Sequence, residues 1–195
     1  MQGLLAAVWL LLTLGLQQIQ PQLQPPRPLT VYEAYQVTQD DEYDDLIVEA
    51  AQTWSLDPFL LKGLIYEESG GLPTARNPDS GATGLGQFVR AGITGLNNIR
   101  CLRLYHKFRC DLGDDEFTRE KALDPEEATQ ATAELLAYHI GRWGLTVGVE
   151  SYNGNKWKKA FAQRVLRRTN RFRTTAGLPP LRSHPRPRPA PFPSS

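Results

Sequence analysis

Two Asp-Pro pairs, Asp57-Pro58 and Asp124-Pro125, do most to limit how this chain can fold. Each offers a short acid that can cap free backbone N–H groups, then a proline at the first helical position, where its missing N–H costs nothing. Each precedes apolar residues at helical spacing. After Pro58 come Leu60, Leu61, Leu64 and Ile65, with Gly70 or Gly71 placed to stop the run near Ser69. After Pro125 come Ala128, Ala131, Leu135, Leu136, Ile140 and Trp143 on one side, with Glu127 three residues past the cap. Ile47, Ala50, Ala51 and Trp54 follow the same period and predict a helix over 44–55. Phe161, Val165 and Leu166 predict a last, basic helix over 158–173. No segment alternates as a half-buried strand does, and the Gly-rich stretch 81–88 is the one place for a small hairpin or loop. The expectation is a mainly α domain with at most a small β hairpin.

A chain of 195 residues has room for one domain with a real core. Residues 1–18 carry a 13-residue apolar run, Leu4 to Leu16, too short for a comfortable membrane span. It reads as an export signal or, alternatively, a short anchor. Residues 19–31 form a Gln- and Pro-rich linker, 32–181 the folded domain, and 182–195 a Pro/Arg tail that cannot bury a core. Net charge is +1, but Lys156 to Ser195 holds eleven Lys or Arg and no acid. That end is expected to favour an anionic wall or membrane surface, whereas the whole does not read as a nucleic-acid binder. Cys101 and Cys110 are expected to pair in an exported protein, closing a short loop for roughly 2–3 kcal/mol; two reduced, buried thiols are the alternative in a cytosolic one. The three histidines have no ligand spacing, and Gly84-Leu85-Gly86 lacks the third glycine and preceding strand of a dinucleotide site, so no metal or cofactor is expected.

The stretch Leu64-Ile65-Tyr66-Glu67-Glu68-Ser69-Gly70-Gly71 sets two acids side by side. At about 100° per residue, Glu68 lands near the centre of the stripe made by Leu60, Leu61, Leu64 and Ile65. Glu67 lands about a quarter-turn away, where it is expected to reach water. A carboxyl in apolar surroundings resists ionising, which moves it toward the range of a proton donor. Taken alone, a glutamate at a helix end is more often solvated or capping than catalytic.

Five segments together resemble the soluble, lysozyme-like lytic transglycosylases. They are LIYEESGG at 64–71, GATGLGQF at 81–88, LDPEE at 123–127, ESYNG at 150–154 and FAQRVL at 161–166, in family order. The resemblance implies a lysozyme-like helical domain and a peptidoglycan glycan strand as substrate. Glu68 would be the single general acid and base, cutting between N-acetylmuramic acid and N-acetylglucosamine to leave a 1,6-anhydro sugar. It implies substrate contacts for Ser69, Asn77, Gly84, Gln87, Tyr152 and Asn153, although Ser69 alone reads equally as a helix-end hydroxyl and Tyr152-Asn153-Gly154 as a plain helix stop. A monomer is expected and, from the leader-like run, a place in the periplasm or cell envelope.

The chain departs from the family pattern in places. Gly86 stands where a methionine is usual, Asn77 where a serine is frequent, and Trp157 where an acid is frequent. The segment Val89 to Lys121, which holds both cysteines, is long. Asp79 is either a second carboxylate favouring direct hydrolysis or a turn-forming residue before Ser80-Gly81. Trp143, Tyr152 and Trp157 are candidate sugar platforms, while Trp54 sits at core spacing. A goose-type-lysozyme-like hydrolase and a non-catalytic peptidoglycan-binding module are the alternatives.

Overall fold

A computed structural model describes residues 27–39, 41–154 and 158–182. The leader-like run, most of the linker, Trp157 and the tail from Ser183 onward lie outside the described residues. Among the described residues there are seven α-helices: α1 Val31–Thr38, α2 Asp44–Thr53, α3 Pro58–Ser69, α4 Arg90–Tyr105, α5 Pro125–Trp143, α6 Leu145–Tyr152 and α7 Lys158–Thr175. Among the described residues there is no strand; 81–88 forms a loop pinned by isolated bridges from Thr83 to Arg76 and to Phe88. Nor is any helix there long and apolar enough to cross a membrane.

Both Asp-Pro starts act as expected. The Asp57 carboxylate accepts from the N–H groups of Phe59 and Leu60 at 2.9 and 3.2 Å, and Asp124 accepts from Glu127 N–H at 2.9 Å. Gly70 closes α3 in the left-handed conformation, φ 67°. The buried face of α3 is wider than its four-residue stripe: every residue from Pro58 to Ile65 is buried. Gly63 lets α7 approach closely, because an added Cβ would strike Thr169. The main core joins α1, α2, α3, α5, α6 and α7 through Tyr35, Ile47, Phe59, Leu64, Leu136, Val149 and Val165. A smaller cluster of Phe88, Leu96, Phe117, Ala131 and Leu135 packs the long 89–121 segment against α5, and Tyr152 touches both clusters.

Three expectations need correction. Trp143 is not an inward residue, because α5 runs past the core and leaves it 39% exposed, with Arg142 stacked on its ring. The N-terminal linker ends sooner than residue 31: Thr30 caps α1 in a reciprocal capping box with Glu33. Glu67 does not simply face water. Its carboxylate is largely covered and pairs with Arg164 and, at 3.5 Å, with Arg168, both on α7. Cys101 and Cys110 are bonded to each other, the first of the two expected alternatives.

Candidate active site

The end of α3, the Gly-rich loop and the end of α6 converge on one open cleft of about 490 Å3. Of the residues singled out in the sequence, Glu68, Asn77, Gln87, Tyr152 and Asn153 line it. Ser69, Gly84 and Asp79 do not. The Ser69 hydroxyl donates to Ile65 O at 3.0 Å and accepts from Gly71 N–H, so it finishes the helix end. Gly84 has φ 78° and sits against the Ala122 carbonyl, where any Cβ would collide with backbone; it seats the loop on the short turn Lys121–Leu123 that leads into α5. Asp79 is exposed, and its N–H donates to Asn77 Oδ1 at 3.0 Å, as a turn residue's does. Among the described residues lining the cleft, Glu68 is the one carboxylate.

The two neighbouring acids of α3 therefore leave the helix in different directions. Glu67 is held by α7, and Glu68 enters the cleft. Burial pushes the Glu68 carboxyl up to about 8; the charge of Glu67 adds to this, and Arg164 works against it. At neutral pH the side chain is thus mainly protonated.

The opposite wall is built to stay neutral and fixed. Burial first, then the Glu68 charge, holds the Tyr152 phenol well above its ordinary range, against the effect of a hydrogen bond with Thr132. Its hydroxyl donates to Gly86 O at 3.0 Å. Gly86 has no room for a side chain: an added Cβ would strike Thr132 Oγ1, the Phe88 ring and the Tyr152 hydroxyl. The space that a methionine would fill is thus taken by Phe88 and Tyr152. Gln87 adopts φ 47°, and its Nε2 donates to Gly84 O at 3.0 Å and Ala75 O at 3.2 Å, so its amide braces the loop while lining the cleft. Asn77 Oδ1 accepts from the N–H groups of Asp79 and Ser80.

Several contributors escaped the sequence reading. Ser80, Phe88, Val89, Ala91, Gly92 and Leu135 join the lining, beside Ala82, Gly86 and Gly154 of the motif segments. Arg119 donates to Gly81 O and Thr83 Oγ1, so the long 89–121 segment props the Gly-rich loop from behind. Phe88 follows Gln87 directly, and its apolar character beside the motif was the available signal. Arg119 gave none, since it lies 38 residues from Gly81.

A helical domain whose cleft offers one protonated carboxyl beside fixed neutral donors and acceptors is laid out for proton transfer to a bound substrate. Residues 45–171 match the family model described as the transglycosylase SLT domain. That match spans well over half the chain, and the chain belongs to this family. Among solved structures, it is similar to an inactive mutant of the lytic transglycosylase Slt from Pseudomonas aeruginosa. The TM-score is 0.52 at 15% identity, with 76% of this chain and 28% of that one covered. At that identity the likeness concerns the fold, and this chain spans little more than a quarter of that structure's length. No curated protein matches the chain.

Proposed function

We propose that the protein is an exported peptidoglycan lytic transglycosylase. It would cleave the MurNAc-β-1,4-GlcNAc bond and leave a 1,6-anhydroMurNAc end, with Glu68 as the only general acid and base. The observation that carries this reading is a lone, protonated carboxyl in the cleft. A glycosidase that activates water directly needs a second carboxylate to take its proton, and the described lining supplies none. Glu68 gives its proton to the glycosidic oxygen as the C1–O bond breaks. The substrate's own 2-acetamido carbonyl shares the positive charge that develops at C1. The glutamate, now a carboxylate, takes the proton of the C6 hydroxyl, whose oxygen closes on C1. One proton leaves Glu68 and one returns, so the enzyme ends as it began. A residue that acts in both senses works best with a pKa near the working pH, which fits a carboxyl raised to about 8.

The remaining roles follow from placement. Tyr152 and Asn153 face the sugar from the α6 side, Gln87 and Asn77 from the loop, while Ser69 and Gly84 act through the backbone they hold. The family match supports the chemistry. So does the inactive Slt relative, whose lesion is a Glu→Gln replacement. Export to the periplasm or envelope is supported by the leader-like run and the Cys101–Cys110 bond. In α7, Arg164, Arg168 and Arg173 pair with Glu67 and Asp57, so Lys158, Lys159, Arg167 and Arg171 are the described cations of that helix left to face an anionic wall.

The test is mass analysis of muropeptides released from purified sacculi by wild type and by Glu68→Gln. Wild type should release anhydro-muropeptides and the variant none. Reducing-end products would select hydrolysis, and saturable binding to sacculi without release would select a binding module.

A further inference from the structure

The chain reverses direction after α4 in a loop for which the cleft has no use. Cys101 lies in α4, Cys110 follows the reversal, and their bond closes the segment between them. From Leu102 to Arg109 there is no acidic residue. Three large apolar side chains in this stretch face solvent: Leu104 is 48%, Tyr105 51% and Phe108 69% exposed. Exposed apolar groups crowded into five residues call for an explanation that scattered ones do not.

The base of this loop is fixed from several sides. Buried Glu134 on α5 accepts from Arg100 at 2.9 Å and pairs with Arg103 at 2.7 Å. Arg103 also lies over the Trp54 ring, 5.0 Å from its centroid. Beyond the disulfide and the helix end, the tip's side chains have no such anchors. Among the described residues, the side chains of Tyr105, Lys107, Phe108 and Arg109 have no hydrogen bond, ion pair or ring contact. A rigid base under a tip without partners is a preorganised contact element.

Size and charge decide what it contacts. Three partly exposed side chains of this kind offer on the order of 300 Å2, against about 800 Å2 per partner in a stable protein interface. That is too little for a folded partner and enough to enter a lipid headgroup layer, where aromatic and aliphatic groups flanked by cations are at home. Of the acids that follow, Asp111 lies beside Arg109 and offsets part of its charge, while Asp114, Asp115 and Glu116 lie further on. Their segment runs back along α4, where Asp115 O accepts from Arg100 and Phe117 N–H donates to Asn97, a turn or more short of the tip.

We propose that the disulfide-closed tip, residues 104–109, docks on an anionic lipid surface. Leu104, Tyr105 and Phe108 enter the headgroup region, and Lys107 and Arg109 meet lipid phosphates. The site is separate from the cleft and does not depend on the reaction assigned to it.

Flotation of the full chain with vesicles tests this. Vesicles of phosphatidylcholine containing phosphatidylglycerol should carry the protein upward, and pure phosphatidylcholine should not. Lys107→Glu with Arg109→Glu should weaken binding by about tenfold or more, given roughly a tenfold loss for each one or two cations removed from an anionic surface. Tyr105→Ser with Phe108→Ser should weaken it comparably, with melting temperature unchanged. A Phe108→Trp variant adds a direct readout: its additional emission should shift to the blue on anionic vesicles only. The proposal is overturned if wild type fails to float. It is also overturned if binding survives both loop variants and falls only with Lys158→Glu, Lys159→Glu and Arg171→Glu on α7, or if the new tryptophan reports no change of environment.

Discussion

The Tyr152 hydroxyl and the Gly86 carbonyl are joined by a 3.0 Å hydrogen bond that spans 66 residues of chain. This bond ties the end of α6 to the Gly-rich loop, so the two polar walls of the cleft move as one. Tyr152→Phe removes the donor and leaves the carbonyl of a buried residue unpaired, at a cost of about 1–3 kcal/mol. Urea unfolding should register that loss. kcat/KM on glycan strands should fall at least as far as one displaced active-site contact permits, about tenfold or more. Gly86→Ala should do equal or greater damage, because its methyl falls on Thr132, Phe88 and the same hydroxyl. A Gly86→Ala enzyme of normal stability and rate would mean that the two walls are not coupled.

Glu68 links pH to both stability and rate. Its folded-state pKa, about 8, lies above the ordinary carboxyl value near 4.5. Between these values the folded chain holds a proton that the unfolded chain has lost. The stabilising contribution is thus complete below about pH 4.5 and disappears as pH rises to about 8. Glutamine keeps the neutral form at every pH. Glu68→Gln should therefore match wild type near pH 4 and exceed its stability above pH 8 by on the order of 2–4 kcal/mol, allowing for the side chain's contact with the open cleft. Melting curves from pH 4 to 9 check this; parallel curves would show an ordinary carboxyl. In the same range wild-type kcat/KM should decline above about pH 8, as the general acid loses its proton.

The alkaline limit of that profile is set first by burial and then adjusted by two charged neighbours that can be changed one at a time. The negative charge of Glu67 raises the Glu68 pKa, and Arg164 lowers it. Glu67→Gln should move the alkaline limb of kcat/KM to lower pH, and Arg164→Gln should move it to higher pH. Opposite displacements in a pH–rate series are the expected result. Displacement in one direction for both would point to a shared structural disturbance.

The two Asp-Pro starts made α3 and α5 legible in the sequence, and the wheel separated Glu68 from Glu67 because neighbouring residues on a helix cannot share a face. What the wheel could not supply was a partner for Glu67. Arg164 and Arg168 lie about a hundred residues away, and α7's approach depends on Gly63, whose role is visible only once Thr169 lies against it. α1 had a local signal, Thr30 with Glu33, which was hidden beside the Pro-rich segment. α4 had almost none: only Leu96 and Cys101 on it are buried, so no apolar stripe marks its 16 residues. Trp143 misled because periodicity cannot say where a core ends. The loop's inclusion in the cleft came from a resemblance; its support by Arg119 came only from three-dimensional packing.

Buried inside the main core, Lys62 makes an ion pair whose two ends should not be equally costly to remove. Its Nζ donates to the two Asp44 carboxylate oxygens at 2.8 and 3.0 Å, lies 2.5 Å from Asp41, and sits 5.6 to 5.7 Å from the ring centres of Tyr35, Tyr66 and Phe172. Asp44 accepts, besides Lys62, the Tyr35 hydroxyl and the Asp41 N–H. Asp44→Ala therefore strands the buried Tyr35 hydroxyl and the Asp41 N–H and leaves the buried Lys62 ammonium with Asp41 as its one remaining acid partner, and should cost about 3–5 kcal/mol. Lys62→Met keeps the volume and the aromatic contacts and leaves Asp44 with two donors, so its cost should be smaller, about 1–3 kcal/mol. The double variant should cost less than the sum of the two, since the buried ammonium that Asp44→Ala leaves with half its acid partners is then absent. Equilibrium unfolding of the three proteins decides the matter. If Lys62→Met is as damaging as Asp44→Ala, the lysine rather than the aspartate is the hub of the network.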